Sequence, residues 1–124
     1  MLFAPLMIDI RKNLKSYTYA LKGIRHLLVL ENNARIHLAA TLVILGLSVY
    51  FQIEKTEWLW IVLAVSMVWI TELLNTAVEK IVDFVSPDFH PAAGTIKDLS
   101  AGAVLVAAVF AIIVGGVIFQ QYIF

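Results

Sequence analysis

Glu72, Asn75, Glu79 and Asp83 lie in the run Trp69-Ile-Thr-Glu-Leu-Leu-Asn-Thr-Ala-Val-Glu-Lys-Ile-Val-Asp83, inside the second of three hydrophobic stretches. At roughly 100° per residue these side chains share an arc of about 80° on one helix face, and at ~1.5 Å rise per residue the stripe is about 16 Å long. Carboxylates at membrane depth cost on the order of 2.5–3.5 kcal/mol each on insertion scales. Three on one face therefore imply use. Clustered hard carboxylates suit Mg²⁺, which takes one or two of them and completes its shell with phosphate oxygens. A buried carboxylate kept off the metal suits a general base acting on a hydroxyl. Lysine suits phosphate charge, and Lys97 precedes Asp98 at the start of the third stretch. With Glu31 on the same side, these are parts for phosphoryl transfer at a membrane surface. Intramembrane carboxylates also line ion and proton paths, so a conductor stays open on the residues alone, as does a non-catalytic assembly or lipid-sensing protein.

Each residue has a structural role to set against the chemical one. Asp83 is placed to be solvated, Asp98 to cap a helix, Lys97 to anchor a span and Asn75 to hydrogen-bond between helices. His37 and His90 do not by themselves indicate a metal site. Trp58, Trp60 and Trp69 read as interfacial belt and packing. Gly94-Thr-Ile-Lys97 lacks the glycine-rich lead-in of a Walker A loop, and no kinase or dinucleotide fingerprint is present. The chain has no cysteine, which excludes disulfides and thiolate chemistry.

The elements that must position these residues follow from hydropathy. The 124 residues are 61% hydrophobic and 15% charged, too apolar for an ordinary soluble domain, and form one domain over 1–124. Membrane helices are expected over 36–53, 57–85 and 98–123, the second crossing only by carrying Glu72 and Asn75 inward. Before them, Met7, Ile10, Leu14, Tyr17, Leu21, Ile24 and Leu28 recur at steps of three and four, with Lys12, Lys15, Lys22, Arg25 and His26 on other faces. This predicts a basic amphipathic surface helix over 7–31. The fold class is thus all-α integral membrane protein. Basic residues concentrate before the first span and flank the loop 86–97, placing both in the cytoplasm and the C-terminus outside. Pro87, Pro91 and Gly94 predict a broken loop over 86–97, and Thr95 with Asp98 predicts a capping box opening the third span. The opening Met1-Leu-Phe-Ala-Pro-Leu-Met-Ile8 has no basic start and does not read as a signal peptide. One carboxylate face and two apolar spans enclose too little, so neighbouring copies are expected to complete the site.

The spacing E-x-x-N-[ST]-A-x-E-x-x-x-D, from Glu72 to Asp83, resembles the signature of the small prokaryotic diacylglycerol kinase family, which includes undecaprenol kinases. The resemblance extends to Lys22-Gly23, Glu31 with Arg35, and Lys97-Asp98, and covers about residues 10 to 118. It implies a homotrimer in the bacterial inner membrane that passes the γ-phosphate of MgATP directly to a lipid hydroxyl, at sites on subunit boundaries. By matching position, Glu72 is the implied base and Asn75 orders the catalytic site. Glu31 and Glu79 hold Mg²⁺, and Tyr19, Asp88, His90, Lys97 and Asp98 contact nucleotide. Lys12, implied as a further nucleotide contact, stands where the diacylglycerol enzymes have arginine; it keeps the charge but loses the planar fork. Arg35-Ile-His37, with histidine where those enzymes have an acid, and His90-Pro91 look more like the undecaprenol kinase branch. Undecaprenol is therefore the expected acceptor and diacylglycerol the alternative.

Overall fold

The computed structural model describes residues 7–124, which form four α-helices: α1 (Ile10–Leu30), α2 (Asn32–Tyr50), α3 (Lys55–Val85) and α4 (Pro91–Ile123). Residues 1–6, which hold most of the opening segment discussed above, lie outside the described residues. α1 starts where the Asp9 carboxylate accepts the Lys12 backbone N–H at 3.2 Å, pairing a donor that a helix start leaves open. Its apolar seam is present but largely uncovered: Leu27 is the one buried residue of this helix. An uncovered apolar stripe is what a helix lying in the membrane interface presents to lipid.

A single residue makes the corner between α1 and α2. Glu31 has extended backbone (φ −104°, ψ 119°), and its N–H donates to the Leu27 carbonyl. Arg35 fixes the corner by donating from Nε to the Leu28 carbonyl at 3.1 Å and from its guanidinium to the Val29 carbonyl. Those carbonyls belong to the last turn of α1, where helical partners run out and the dipole favours a cation. The first membrane helix therefore begins at Asn32, ahead of the expected 36, and it ends at Tyr50. Gln52 then reverses the chain in the left-handed region, at φ 50°. A reciprocal capping box between Glu54 and Glu57 starts α3 at Lys55.

The cytoplasmic loop expected over 86–97 is overturned in length. Only Ser86–His90 is irregular, because Pro91 opens α4 instead of breaking it. Proline at the first helical position loses no hydrogen bond and arrives with helical φ. The His90 imidazole is the cap, with Nδ1 accepting the Ala92 N–H at 3.0 Å. Thr95 lies inside the helix and donates its hydroxyl to the Pro91 carbonyl, so the expected Thr95–Asp98 capping box does not form.

α3 and α4 are an antiparallel hairpin of 31 and 33 residues, about 46 and 50 Å long at 1.5 Å per residue. Both exceed the ~30 Å hydrocarbon core of a bilayer. Their main apolar cluster lies away from the hairpin turn and joins Ile53, Ile61 and Ala64 to Val114, Ile118 and Phe119. Tyr122 donates to the Glu57 carboxylate at that end; Lys97 bonds Asp83 at the other, at 2.6 Å. α2 is joined to α3 by polar contacts. Trp69 Nε1 donates to Thr41 Oγ1 at 3.0 Å, and that hydroxyl donates to the His37 carbonyl at 2.7 Å.

The Trp69–Thr41 bond gives a direct test of helix registration. Thr41→Val keeps the volume and removes the acceptor. It is expected to lower the free energy of reversible unfolding in mixed micelles by about 0.6 kcal/mol, and by at most about 1.7.

Candidate active site

Glu72 is 3% exposed. Its Oε1 lies 3.0 Å from Nε2 of His37 in the second turn of α2. Trp69 precedes Glu72 by nearly one helical turn and Thr41 follows His37 by one, so two polar contacts stack along the α2–α3 boundary. A buried carboxylate without a partner is strongly disfavoured, and this pairing offsets part of that cost. The contact between His37 and Glu72 was not legible in the sequence, where His37 carried only a hint of acceptor choice. The available signal was its position: a polar residue in the second turn of a helix that is largely apolar beyond it needs a polar neighbour.

Asn75 and Glu79 continue the stripe toward the hairpin turn, both half-buried. Asn75 Nδ2 donates weakly to Glu79 Oε1 at 3.4 Å, while Asn75 Oδ1 is buried without a hydrogen-bond partner among the described residues. Glu31 occupies the α1–α2 corner, and its carboxylate makes no capping hydrogen bond. Among the described residues no group of three or more His, Asp or Glu side chains stands close enough to hold a metal alone. Such a donor set does not fit a closed protein cage. It fits Mg²⁺, which commonly takes one or two carboxylates and fills its shell from phosphate and water. The unpaired Asn75 carbonyl oxygen on the same face is a further hard donor.

A second group gathers at the hairpin turn. Asp83, Asp88, His90, Gly94 and Lys97 line a cavity of about 310 Å³. Asp83, unassigned from sequence, is the partner of Lys97. The Asp83 side chain is 64% exposed and that of Lys97 39%, so the pair adds little to stability. What it does is hold the ammonium group at the cavity wall. His90 serves as helix cap and cavity wall together. Asp98 is exposed and follows Lys97 on α4. Lys12 and Tyr19 lie on exposed α1, where Lys22 Nζ sits 5.6 Å from the Tyr19 ring centroid; within one chain neither joins the stripe or the cavity.

A third feature connects to Glu72 through its partner. His37, Thr41, Ile44, Val68, Ala108 and Ile112 line a groove of about 230 Å³ that is apolar apart from the first two. The Thr41 hydroxyl is already engaged as donor and acceptor, so the groove presents almost pure hydrocarbon.

An all-helical chain with three membrane-length helices, a buried carboxylate beside an apolar groove, and a lysine-bearing cavity near the helix ends has the parts of an integral-membrane lipid kinase. The comparisons agree. Residues 18–119 match the prokaryotic diacylglycerol kinase family, and the chain belongs to it. It is 36% identical over 111 residues to the undecaprenol kinase of Bacillus subtilis, covering 90% of each chain. To the diacylglycerol kinase of Synechocystis sp. it is 38% identical over 104 residues, covering 83% of this chain and 59% of that one. The diacylglycerol kinase of Escherichia coli K12 is 29% identical over 100 residues, 81% of this chain and 82% of its own. The chain is thus a membrane enzyme that phosphorylates a lipid.

The Lys97–Asp83 contact predicts a graded response. Asp83→Ala is expected to raise KM for ATP by about two- to fivefold, the range an exposed pair supports, with kcat nearly unchanged. Lys97→Met is expected to raise it further. Steady-state kinetics in micelles at saturating lipid measure both.

Proposed function

We propose that this enzyme transfers the γ-phosphate of MgATP directly to the hydroxyl of undecaprenol, giving undecaprenyl phosphate and ADP. The observation that carries the reading is Glu72, buried in the helix bundle with a partner that lines an apolar groove. Glu72 takes the hydroxyl proton as the acceptor oxygen bonds to the γ-phosphorus. The bond from that phosphorus to the bridging oxygen breaks, and ADP leaves with the electron pair. Asn75 orders the carboxylate face. Glu31 and Glu79 would hold Mg²⁺, which when bound neutralises phosphate charge. Lys97 and Asp98, with Asp88 and His90, receive the nucleotide; Lys12 and Tyr19 join them from the surface helix.

Groove chemistry supports the choice of acceptor. Undecaprenol presents one hydroxyl on a hydrocarbon chain, whereas diacylglycerol carries two ester groups beside its hydroxyl. Ester oxygens buried without donors are costly, and the Thr41 hydroxyl of this groove is already engaged. Arg35-Ile-His37, His90-Pro91 and the likeness to the Bacillus subtilis enzyme favour the same acceptor. Diacylglycerol is the second reading, favoured by the likeness to the diacylglycerol kinases of Synechocystis sp. and Escherichia coli.

The enzyme acts as a homo-oligomer, with three copies expected from the family resemblance. Its half-open carboxylate face is a surface that a neighbour would complete. The N-terminus and the hairpin turn face the cytoplasm, where ATP is available, and the C-terminus lies outside.

Transfer of labelled γ-phosphate to undecaprenol, diacylglycerol and short-chain alcohols under one set of conditions tests the reading. Undecaprenol is expected to give the highest kcat/KM; a higher value for diacylglycerol reassigns the acceptor. Glu72→Gln is expected to lower kcat by about 10²–10⁴-fold. Glu79→Gln is expected to raise the Mg²⁺ concentration needed for half-maximal rate. Undiminished activity in both variants removes the assigned roles.

A further inference from the structure

The His37 side chain both contacts Glu72 and lines the apolar groove. Its placement is over-determined. The backbone carbonyl of His37 accepts the Thr41 hydroxyl, and Trp69 on α3 donates to that same hydroxyl oxygen. The peptide that carries the imidazole is therefore tied to the helix that carries the carboxylate. Oε1 of Glu72 lies 3.0 Å from Nε2, within hydrogen-bond reach, and no hydrogen bond among the described residues takes Oε2. The imidazole is 21% exposed and the carboxylate 4%, so the histidine stands between the buried acid and the space beside it.

We propose that His37 is a positioning residue for Glu72: its Nε2–H holds Oε1, leaving Oε2 turned to receive the proton of the lipid hydroxyl. This rests on the reading of Glu72 as the base. A carboxylate has two equivalent oxygens and a freely turning terminal torsion. In an apolar wall nothing else defines which oxygen meets the acceptor, and small misplacements of reacting atoms are costly to rate. A hydrogen bond to one oxygen removes that ambiguity. It also keeps the acid from turning toward Asn75 and Glu79, where a bound metal ion would compete for it. The groove holds the alcohol's chain, and His37 marks its polar end. The same residue thus orients the base and bounds the acceptor site.

The test compares His37→Leu with His37→Gln, whose amide keeps an N–H donor at similar reach. His37→Leu is expected to lower kcat by about tenfold to a hundredfold, with KM for ATP within twofold of the parent. His37→Gln is expected to recover most of that loss. In a Glu72→Gln background, His37→Leu is expected to have no further effect. A purely structural role would instead affect both His37 variants alike and add to the Glu72→Gln loss.

An activity-free measurement accompanies the kinetics. The ¹⁵N shifts of the His37 ring, recorded in micelles, are expected to change between the parent and Glu72→Gln. Unchanged shifts, or a kcat for His37→Leu within twofold of the parent, would overturn the proposal. Failure of the parent to phosphorylate any lipid alcohol would sink the kinase reading instead, and the ring shifts would still report whether the contact exists.

Discussion

Keeping an ionisable acid inside a membrane-spanning bundle constrains everything around it. Glu72 is almost fully buried, and insertion scales put the cost of such a group near the bilayer centre at about 2.5–3.5 kcal/mol. The bundle meets that cost with a specific neighbour, His37, and with a polar contact one turn away that keeps α2 and α3 in step. The Glu31 corner, set by Arg35 on the closing carbonyls of α1, fixes where α2 begins. It thereby fixes where His37 falls along α3. A shift of one residue at that corner would rotate His37 by about 100° away from the acid.

The hairpin of α3 and α4 separates two chemistries along one axis. Glu72 and Asp83 stand eleven residues apart on uninterrupted helix, about 16 Å. Polar side chains facing lipid hydrocarbon are excluded at one end and tolerated at the other, where the helices outrun the hydrocarbon core. Under the proposed roles, proton acceptance would fall at the apolar end and charge handling at the wetter end, with Asn75 and Glu79 between. A rigid helix is a suitable spacer, because its length does not fluctuate as a loop's would.

Much of this was readable in the sequence because membrane helices obey few rules. Long apolar runs, the three–four seam of α1 and the polar arc on α3 each follow from periodicity and solvation alone. Pro91 was misread because the same ring stops a helix from within and starts one from its first position. The imidazole of His90, accepting from Ala92 two residues on, marks the start of the helix, and histidine is not among the residues that usually announce an N-cap. Asp83 lacked a role for a related reason: its partner Lys97 sits across a turn whose length had been overestimated. Trp69, read as packing, turned out to carry a hydrogen bond to Thr41. The His37–Glu72 contact joins residues 35 apart, and one chain without its homologues carries no record of such pairings.

The hydrocarbon character of the groove beside His37 bears on how a cycle would end. An alcohol is a neutral guest there, but its phosphate ester carries about −1.5 to −2 charges at neutral pH. That charge would face a wall of alkyl groups, beside a Glu72 that the transferred proton had just made neutral. A charge is strongly disfavoured in such low-dielectric surroundings. The product would be driven toward headgroups and counterions without any moving part, so a pocket fitted to the reactant becomes an ejector once the reaction has changed what it holds.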